Sequence, residues 1–218
     1  MTKRHFTSDQ HIEHVLVSVL RMIPDAPLDE KGRPDLVAIG PERVNWALAE
    51  HSRVSAAAWD RVVGKDDLVY VVGDIAMNPR KGAFEWFQAR PGRKVLICGN
   101  HDETAGFHSK GLQERLKPDW ANTFEGGISD FAFLKFGKKR AAVSHYPYDG
   151  EGEREGEDRM PEVRLRDVGI PLIHGHEHSK HQAHESALGT PQFHVGVDAW
   201  NFEPVPEETI VEWLEWVA

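Results

Sequence analysis

Five short apolar runs of this chain each lead into side chains that can bind a metal ion. These side chains are Asp9 and His11 after the first run, Asp74 after "LVYVVG", Asn100 after "KVLICG", His145 after "AAVS" and the histidines of "HGHEH" after "IPLI". Oxygen and imidazole ligands without thiolate suit manganese, iron, cobalt or zinc. Each pattern alone is weak, because a Gly-Asp pair after a strand is usually only a turn. Their occurrence in order, each after an apolar run, predicts a metal site.

The alternating histidines of the last motif raise a question of geometry. His174, His176 and His178 occupy every second position, and such positions share one face of an extended strand. A strand with a polar face accounts for one of these histidines, whereas metal binding accounts for several. The pattern therefore favours metal binding and leaves open which of the three are ligands.

The elements that position these side chains follow from the alternation of apolar runs with helical stretches. Strands are predicted over the runs 68–72, 94–98, 131–136, 141–144, 170–173 and 192–197. Helices are predicted over 41–63, 82–90 and 206–217. Predicted helices and strands alternate in the N-terminal part of the chain, and strands predominate in the C-terminal part. This order indicates one α/β layered domain spanning residues 1–218. Sites in such folds lie at the carboxyl ends of strands, where the candidate ligands fall.

Composition and charge limit the class of protein. The chain has 218 residues and a formal net charge of −9, which argues against stable binding of duplex nucleic acid. Its single cysteine, Cys98, cannot form an internal disulfide, and no signal peptide or membrane-length apolar run is visible. We therefore expect a cytoplasmic protein without a membrane partner, and homo-oligomer formation stays open. The charged, glycine-rich segment 149–159 is expected to form a flexible solvated loop, with a lid over the site as the alternative.

The ordered motifs resemble those of the calcineurin-like metallophosphoesterases. The resemblance runs from about residue 6 to residue 205 and includes "GNHD" at 99–102 and the Gly-His-x-His pattern at 175–178. The segments "HYP" at 145–147 and "VGVDAWNFEPV" at 195–205 resemble small bacterial and phage members. This family resemblance implies a four-layer αββα sandwich of two mixed β-sheets, with a site for two metal ions between the loops.

The resemblance also implies which residues bind the two ions. One ion would be bound by Asp9, His11 and His178, the other by Asn100, His145 and His176, and Asp74 would bridge both. The ions are expected to be manganese, with iron, cobalt or zinc as alternatives. Two divalent ions about 3.5–4 Å apart can lower the pKa of a shared water and clamp the attacking and leaving oxygens.

Four further residues are expected to act beside the ions, and the role of His101 is the one that the resemblance implies. His101 would face the substrate and stabilise or protonate the leaving oxygen, and Asp102 would orient the imidazole of His101. His14 and His174 are expected to support the metal ligands without binding an ion.

The predicted activity is hydrolysis of small phosphodiesters, and cyclic nucleotides, 2′,3′-cyclic ones in particular, are favoured by analogy with small prokaryotic members. The stretch "GDIAMNPR" lacks the acidic residue and the arginine of the Gly-Asp-x-Val-Asp-Arg-Gly pattern of protein phosphatases, which argues against that substrate class. A nuclease is one alternative, although the chain offers only scattered basic clusters such as 135–140. A phosphomonoesterase of the same fold and a non-catalytic metal-binding module are the others. Structural zinc sites usually use thiolates, which argues against the last.

Overall fold

The computed structural model describes residues 2–77, 81–150 and 160–217, so the predicted loop at 149–159 lies almost wholly outside the described residues. The first of two five-stranded mixed sheets has the order β10–β1–β2–β3–β4. Its strands are β1 (Arg4–Thr7), β2 (Leu68–Val71), β3 (Arg93–Ile97), β4 (Gly127–Ser129) and β10 (Val205–Pro206). Strands β1 to β4 run parallel, and β10 pairs antiparallel with β1 at the sheet edge.

The second sheet has the order β5–β6–β7–β9–β8. Its strands are β5 (Phe131–Phe136), β6 (Lys139–Ser144), β7 (Leu172–His174), β8 (Ala183–Glu185) and β9 (Pro191–His194). Strands β6, β7 and β9 run parallel, whereas the edge strands β5 and β8 are antiparallel to their neighbours. The basic cluster at 135–140 lies at the β5–β6 hairpin, at the edge of the sheet. Lysines at such an edge discourage pairing with another strand.

Six α-helices lie within the described residues. They are α1 (Val15–Met22), α2 (Leu36–Ile39), α3 (Pro41–Val62), α4 (Lys81–Gln88), α5 (Lys110–Thr123) and α6 (Glu207–Trp216). Helix α3 begins at Pro41, whose fixed φ suits the first helical turn, as the sequence predicts. No helix of the described ranges is both long and apolar enough to cross a membrane.

The side-chain alternation of β2 explains how the layers pack. Val69 and Val71 pack in one cluster with residues of α3, α4 and α5, among them Trp59, Phe87 and Trp120. The intervening Tyr70 belongs to a second cluster, which joins the inner faces of the two sheets. In that cluster the rings of Phe6 on β1 and Phe136 on β5 lie 5.4 Å apart. The molecule is therefore an α/β protein in which two mixed sheets pack face to face.

Most predicted elements are confirmed within a few residues. All six predicted strands are present, although the run at 192–197 leaves the strand at His194 and enters a 3₁₀ turn at Val197–Ala199. The three predicted helices are α3, α4 and α6. Helices α1, α2 and α5 were not predicted individually. Helix α5 carries Pro118 within it, a residue that usually signals the end of a helix.

Candidate metal centre

The candidate ligands meet because the strands that precede them are parallel. Asp9, Asp74 and Asn100 follow β1, β2 and β3 of the first sheet. His145 and His176 follow β6 and β7 of the second sheet. Carboxyl ends of neighbouring parallel strands meet at one edge, and the face-to-face packing of the sheets brings the two edges together. A parallel bridge between Ser8 and Gly196 links the sheets there.

Asp9, His11 and His178 form the first ligand group. One ligand atom from each of the three lies within 4.8 Å of the other two. His11 Nε2 and His178 Nε2 are 3.1 Å apart, and His178 Nε2 is 3.9 Å from Asp9 Oδ1. The other oxygen of Asp9 accepts the backbone N–H of His176, while Oδ1 is buried without a hydrogen-bond partner among the described residues. A buried carboxylate oxygen facing two imidazoles is a good environment for a cation.

Asp74, His145 and His176 form the second ligand group, again within 4.8 Å of one another. Asn100 Oδ1 joins them, at 3.2 Å from His145 Nε2 and 3.0 Å from His176 Nδ1. His145 Nδ1 lies 2.8 Å from the carbonyl of Val72 and therefore carries the ring proton. In the neutral ring the lone pair of His145 Nε2 would then point into the group, as ligation by that nitrogen requires.

Asp74 lies between the two groups. Its Oδ2 is 3.6 Å from His11 Nε2 in the first group and 3.4 Å from His145 Nε2 in the second. Its Oδ1 accepts the backbone N–H of His101 at 2.9 Å, which fixes the orientation of the carboxylate. This is the position that a carboxylate bridging two ions would need.

The electrostatics of the centre favour cations. Burial lowers the pKa of His145, but the adjacent carboxylate of Asp74 outweighs burial and raises that pKa to about 9. Burial holds the pKa of His11 well below its usual range, so that imidazole is neutral and offers a lone pair. An ion at the second group would displace the extra ring proton of His145, and the two carboxylates, the amide oxygen and the imidazole nitrogens together fit two divalent ions of the manganese, iron, cobalt or zinc type.

Several residues around the centre have left-handed backbone conformations, which residues with a Cβ rarely adopt. The φ angles are 59° at Asp9, 45° at His11, 56° at Asp74, 72° at His176 and 54° at His178. Left-handed non-glycine residues cost free energy and cluster at functional sites. Gly99 permits the close approach of two turns, because a Cβ there would lie 2.3 Å from Asp74 Oδ1.

His174, His176 and His178 do not share one strand face in the structure. Strand β7 ends at His174, and the left-handed turns at His176 and His178 send their side chains to different ligand groups. A hydrogen bond from the His176 backbone N–H to Asp9 Oδ2 holds this loop against the first sheet. His174 belongs to neither group.

His101 and His14 lie beside the ligand groups. The His101 side chain is 34% exposed, and its Nε2 is 3.9 Å from Asp74 Oδ2. The His14 ring contacts the His11 ring edge-on, with centroids 5.4 Å apart, and its Nδ1 accepts the N–H of Val17 at the start of α1. His14 thus contacts a predicted ligand and is in neither ligand group.

The predicted role of Asp102 needs correction. Its fully buried carboxylate accepts the backbone N–H groups of Asp74 at 2.9 Å, Ile75 at 3.2 Å and Gly99 at 2.8 Å. Burial and the nearby charge of Asp74 raise the pKa of Asp102 to about 6. These contacts make Asp102 a positioning residue that holds the 73–75 turn against the 99–102 turn, rather than the residue that orients the His101 ring.

Sequence reasoning missed the pair of Arg21 and Asp198 behind the first group. The guanidinium of Arg21 donates to both carboxylate oxygens of Asp198, at 2.8 and 2.6 Å, and to the carbonyl of Asp9 at 2.9 Å. Asp198 Oδ2 lies 3.1 Å from His178 Nδ1. Burial raises the pKa of Asp198, but the Arg21 charge and the His178 contact outweigh burial and lower it. A carboxylate on Nδ1 orients a metal-binding histidine and leaves Nε2 for the ion. The sequence feature that could have revealed this pair is Asp198 in the stretch "VGVDAWNFEPV".

A buried imidazole next to this pair should make stability depend on pH. His51 Nε2 lies 3.1 Å from Arg21 Nη1, which can only donate, and His51 Nδ1 lies 2.9 Å from Ser18 Oγ. The ring is therefore neutral. Burial, together with the Arg21 charge, lowers the pKa of His51 to about 3.

We expect the metal-free protein to lose stability below about pH 6.5 in part through His51. The unfolded chain binds a proton at about pH 6.5, whereas the folded chain does so only near pH 3, so this contribution is complete above pH 6.5 and falls by about 1.4 kcal/mol per pH unit. His51→Gln keeps a donor and an acceptor without titrating. Between pH 6.5 and 5, urea unfolding should show a loss about 2 kcal/mol larger in the wild type than in the variant. Parallel losses would contradict this assignment.

The fold and the site define an α/β protein of two facing sheets that brings two adjoining groups of potential metal ligands to one edge. No family model matches the chain. The chain is 36% identical to the Gene 66 protein of Mycobacterium phage L5 over 92% of this chain and 88% of that protein. It is 34% identical to the Gene 66 protein of Mycobacterium phage D29 over 97% of this chain and 96% of that protein. The chain therefore belongs to the family of these Gene 66 proteins.

More distant similarities extend beyond phages. An uncharacterized protein of Methanocaldococcus jannaschii is 23% identical over 77% of each chain. A solved structure of a protein of unknown function from Aquifex aeolicus covers 98% of this chain and 100% of its own, with a TM-score of 0.59 and 21% identity. That structure shares the fold with this chain.

Proposed function

We propose that this protein is a calcineurin-like metallophosphoesterase that uses two metal ions to hydrolyse small phosphodiesters. The observation that carries the proposal is the position of Asp74 Oδ2, 3.6 Å from His11 Nε2 and 3.4 Å from His145 Nε2. The proposal includes the four-layer αββα arrangement of that family. The helices on the first sheet and the two facing sheets support three of its layers.

The proposed ions would be held by the two ligand groups and by the carboxylate between them. Asp9, His11 and His178 would hold one ion, Asn100, His145 and His176 the other, and Asp74 both. Manganese is favoured by the family resemblance, and iron, cobalt and zinc share its preference for these ligands. When bound, such a pair of ions supplies an activated water and neutralises charge on the phosphoryl group.

The chain's own contribution to the chemistry would come from His101. Its side chain is about one-third exposed, whereas those of His11 and His145 are almost fully buried, so a substrate can reach it. The bond from its backbone N–H to Asp74 Oδ1 fixes it relative to the bridging carboxylate. In this position the imidazole would stabilise or protonate the leaving oxygen, a contribution worth about 10²–10⁴ in rate.

A small substrate fits the surroundings of the centre better than a long nucleic acid. The net charge is −9, and the basic cluster at 135–140 lies at a hairpin edge rather than in a groove. A cavity of about 230 Å³ has Phe107, Phe131 and Tyr146 in its lining, and Tyr146 connects it to the second ligand group. The Tyr146 ring is 5.0 Å from the His145 ring. Aromatic walls suit a nucleobase, which agrees with cyclic nucleotides as substrates, 2′,3′-cyclic ones first.

Hydrolysis of bis-p-nitrophenyl phosphate and p-nitrophenyl phosphate by metal-stripped protein tests the proposal. We expect diester cleavage that depends on added manganese and falls about 10²–10⁴-fold in His101→Ala. The exposed His181, replaced in the same way, is the matched control and should leave the rate unchanged. Faster cleavage of the monoester would overturn the diester preference. Absence of cleavage with manganese, iron, cobalt and zinc would overturn the enzymatic proposal and favour the metal-binding module.

A further inference from the structure

A third group of potential ligands lies outside the dinuclear centre, where His174, Glu177 and His184 converge. Their ligand atoms lie within 4.8 Å of one another. His174 ends β7, Glu177 lies in the following loop, and His184 is in the edge strand β8. The His174 and His184 rings meet edge-on with centroids 5.1 Å apart. Two segments of the chain, the end of β7 with the loop that follows it and strand β8, therefore supply the three ligand atoms.

The hydrogen bonds around this group leave one nitrogen of each imidazole without a proton. His174 Nδ1 donates to the carbonyl of Gly175 at 3.0 Å, so its Nε2 is unprotonated. That Nε2 is fully buried and has no hydrogen-bond partner among the described residues. An unpaired buried acceptor costs free energy unless a ligand satisfies it.

The amide of Gln192 fixes the protonation of His184. Gln192 Oε1 accepts the backbone N–H of Tyr148 at 2.6 Å, so its Nε2 is the donor towards His184 Nε2 at 3.0 Å. The latter nitrogen is therefore unprotonated and faces Glu177 Oε1 at 3.5 Å. The Glu177 side chain is only 4% exposed. A carboxylate oxygen of the buried Glu177 and an imidazole nitrogen that carries no proton of its own thus lie 3.5 Å apart.

We propose that His174, Glu177 and His184 bind a zinc ion, separate from the dinuclear centre. Two imidazoles and one carboxylate form a three-ligand set that zinc takes in proteins, with a fourth position left for water. An ion there would satisfy His174 Nε2 and replace the hydrogen bond that Gln192 donates to His184.

The position of Glu177 indicates what such an ion would do. Glu177 stands between His176 and His178, which belong to the two ligand groups of the dinuclear centre. Zinc bound to Glu177 and His184 would tie this loop to strand β8 of the second sheet. The ion would therefore stabilise the loop that presents ligands to both other ions.

Zinc stoichiometry of the full-length protein tests this proposal. The protein is stripped with a chelator, saturated with zinc and freed of excess by gel filtration, and bound zinc is measured by mass spectrometry. We expect His184→Gln and Glu177→Gln each to bind one equivalent less than the wild type and to gain less in melting temperature from zinc. His181→Gln, in an exposed histidine nearby, should match the wild type.

The test does not depend on the dinuclear proposal, because it compares the zinc content of each variant with that of the wild type and does not rely on the total zinc content. A wild type that binds fewer than three equivalents would count against the dinuclear centre if His184→Gln still removes one. Zinc content unchanged in His184→Gln or in Glu177→Gln would overturn the third site. His184 is an edge-strand residue with a 30% exposed side chain, so its replacement should leave the fold intact.

Discussion

Asp74→Asn is expected to lower manganese-dependent diester hydrolysis by about 10³-fold or more, equivalent to about 4 kcal/mol of transition-state stabilisation. Asp74 is the carboxylate that reaches both ligand groups, so the substitution removes negative charge from the positions of both ions at once. Asparagine keeps the size of the side chain and an oxygen that can accept the His101 backbone N–H. The loss should therefore appear as lower manganese content and lower kcat/KM, without loss of the fold.

Asp66→Asn is a suitable control for this experiment. Asp66 is an exposed aspartate that precedes β2, so its substitution changes the net charge equally without touching the centre. Its activity and manganese content should equal those of the wild type. If Asp74→Asn retained both ions and hydrolysed the diester within a few-fold of the wild type, Asp74 would not be the bridging ligand.

Asp102→Ala is expected to lower the free energy of unfolding of the metal-free protein by about 3–9 kcal/mol. The carboxylate accepts three buried backbone N–H groups, and each donor left without an acceptor costs about 1–3 kcal/mol. Asp102→Asn retains one oxygen for the Gly99 and Asp74 donors and should lose about 1–3 kcal/mol, since only the bond from Ile75 is broken. Urea unfolding in the presence of a chelator measures both losses.

The comparison of the two Asp102 variants separates the positioning role from a role at the His101 ring. If Asp102 is a positioning residue, the loss of stability should be graded, and Asp102→Ala should lose more free energy of unfolding than Asp102→Asn. Equal stability of the wild type and Asp102→Ala, together with a loss of activity in Asp102→Asn, would restore the role of orienting His101.

The positions of the candidate ligands could be predicted because they depend on local sequence. Asp9, Asp74, Asn100, His145 and His176 each follow an apolar strand, and parallel strands bring their carboxyl ends together. The bounds of most strands follow from the same apolar runs. The residues of each pattern lie within a few positions of one another in the chain, so the pattern can be recognised without knowledge of tertiary contacts.

The geometry of "HGHEH" could not be predicted, because it depends on contacts between distant residues. The left-handed turn at His176 is stabilised by a hydrogen bond to Asp9, which is 167 positions away in the chain. Arg21 and Asp198 are likewise separated by 177 positions, and Arg21 belongs to no motif. The alternation of the three histidines alone is compatible with an extended strand, and these tertiary contacts decide the turns that follow His174.

The most direct test of the two-ion proposal is a titration of manganese into metal-stripped protein, with bound metal and bis-p-nitrophenyl phosphate hydrolysis recorded on the same samples. Because both ligand groups are needed, hydrolysis should stay low through the first equivalent, rise with the second and then level off. Hydrolysis that is complete at one equivalent, or that proceeds without added metal, would contradict a dinuclear centre in this protein.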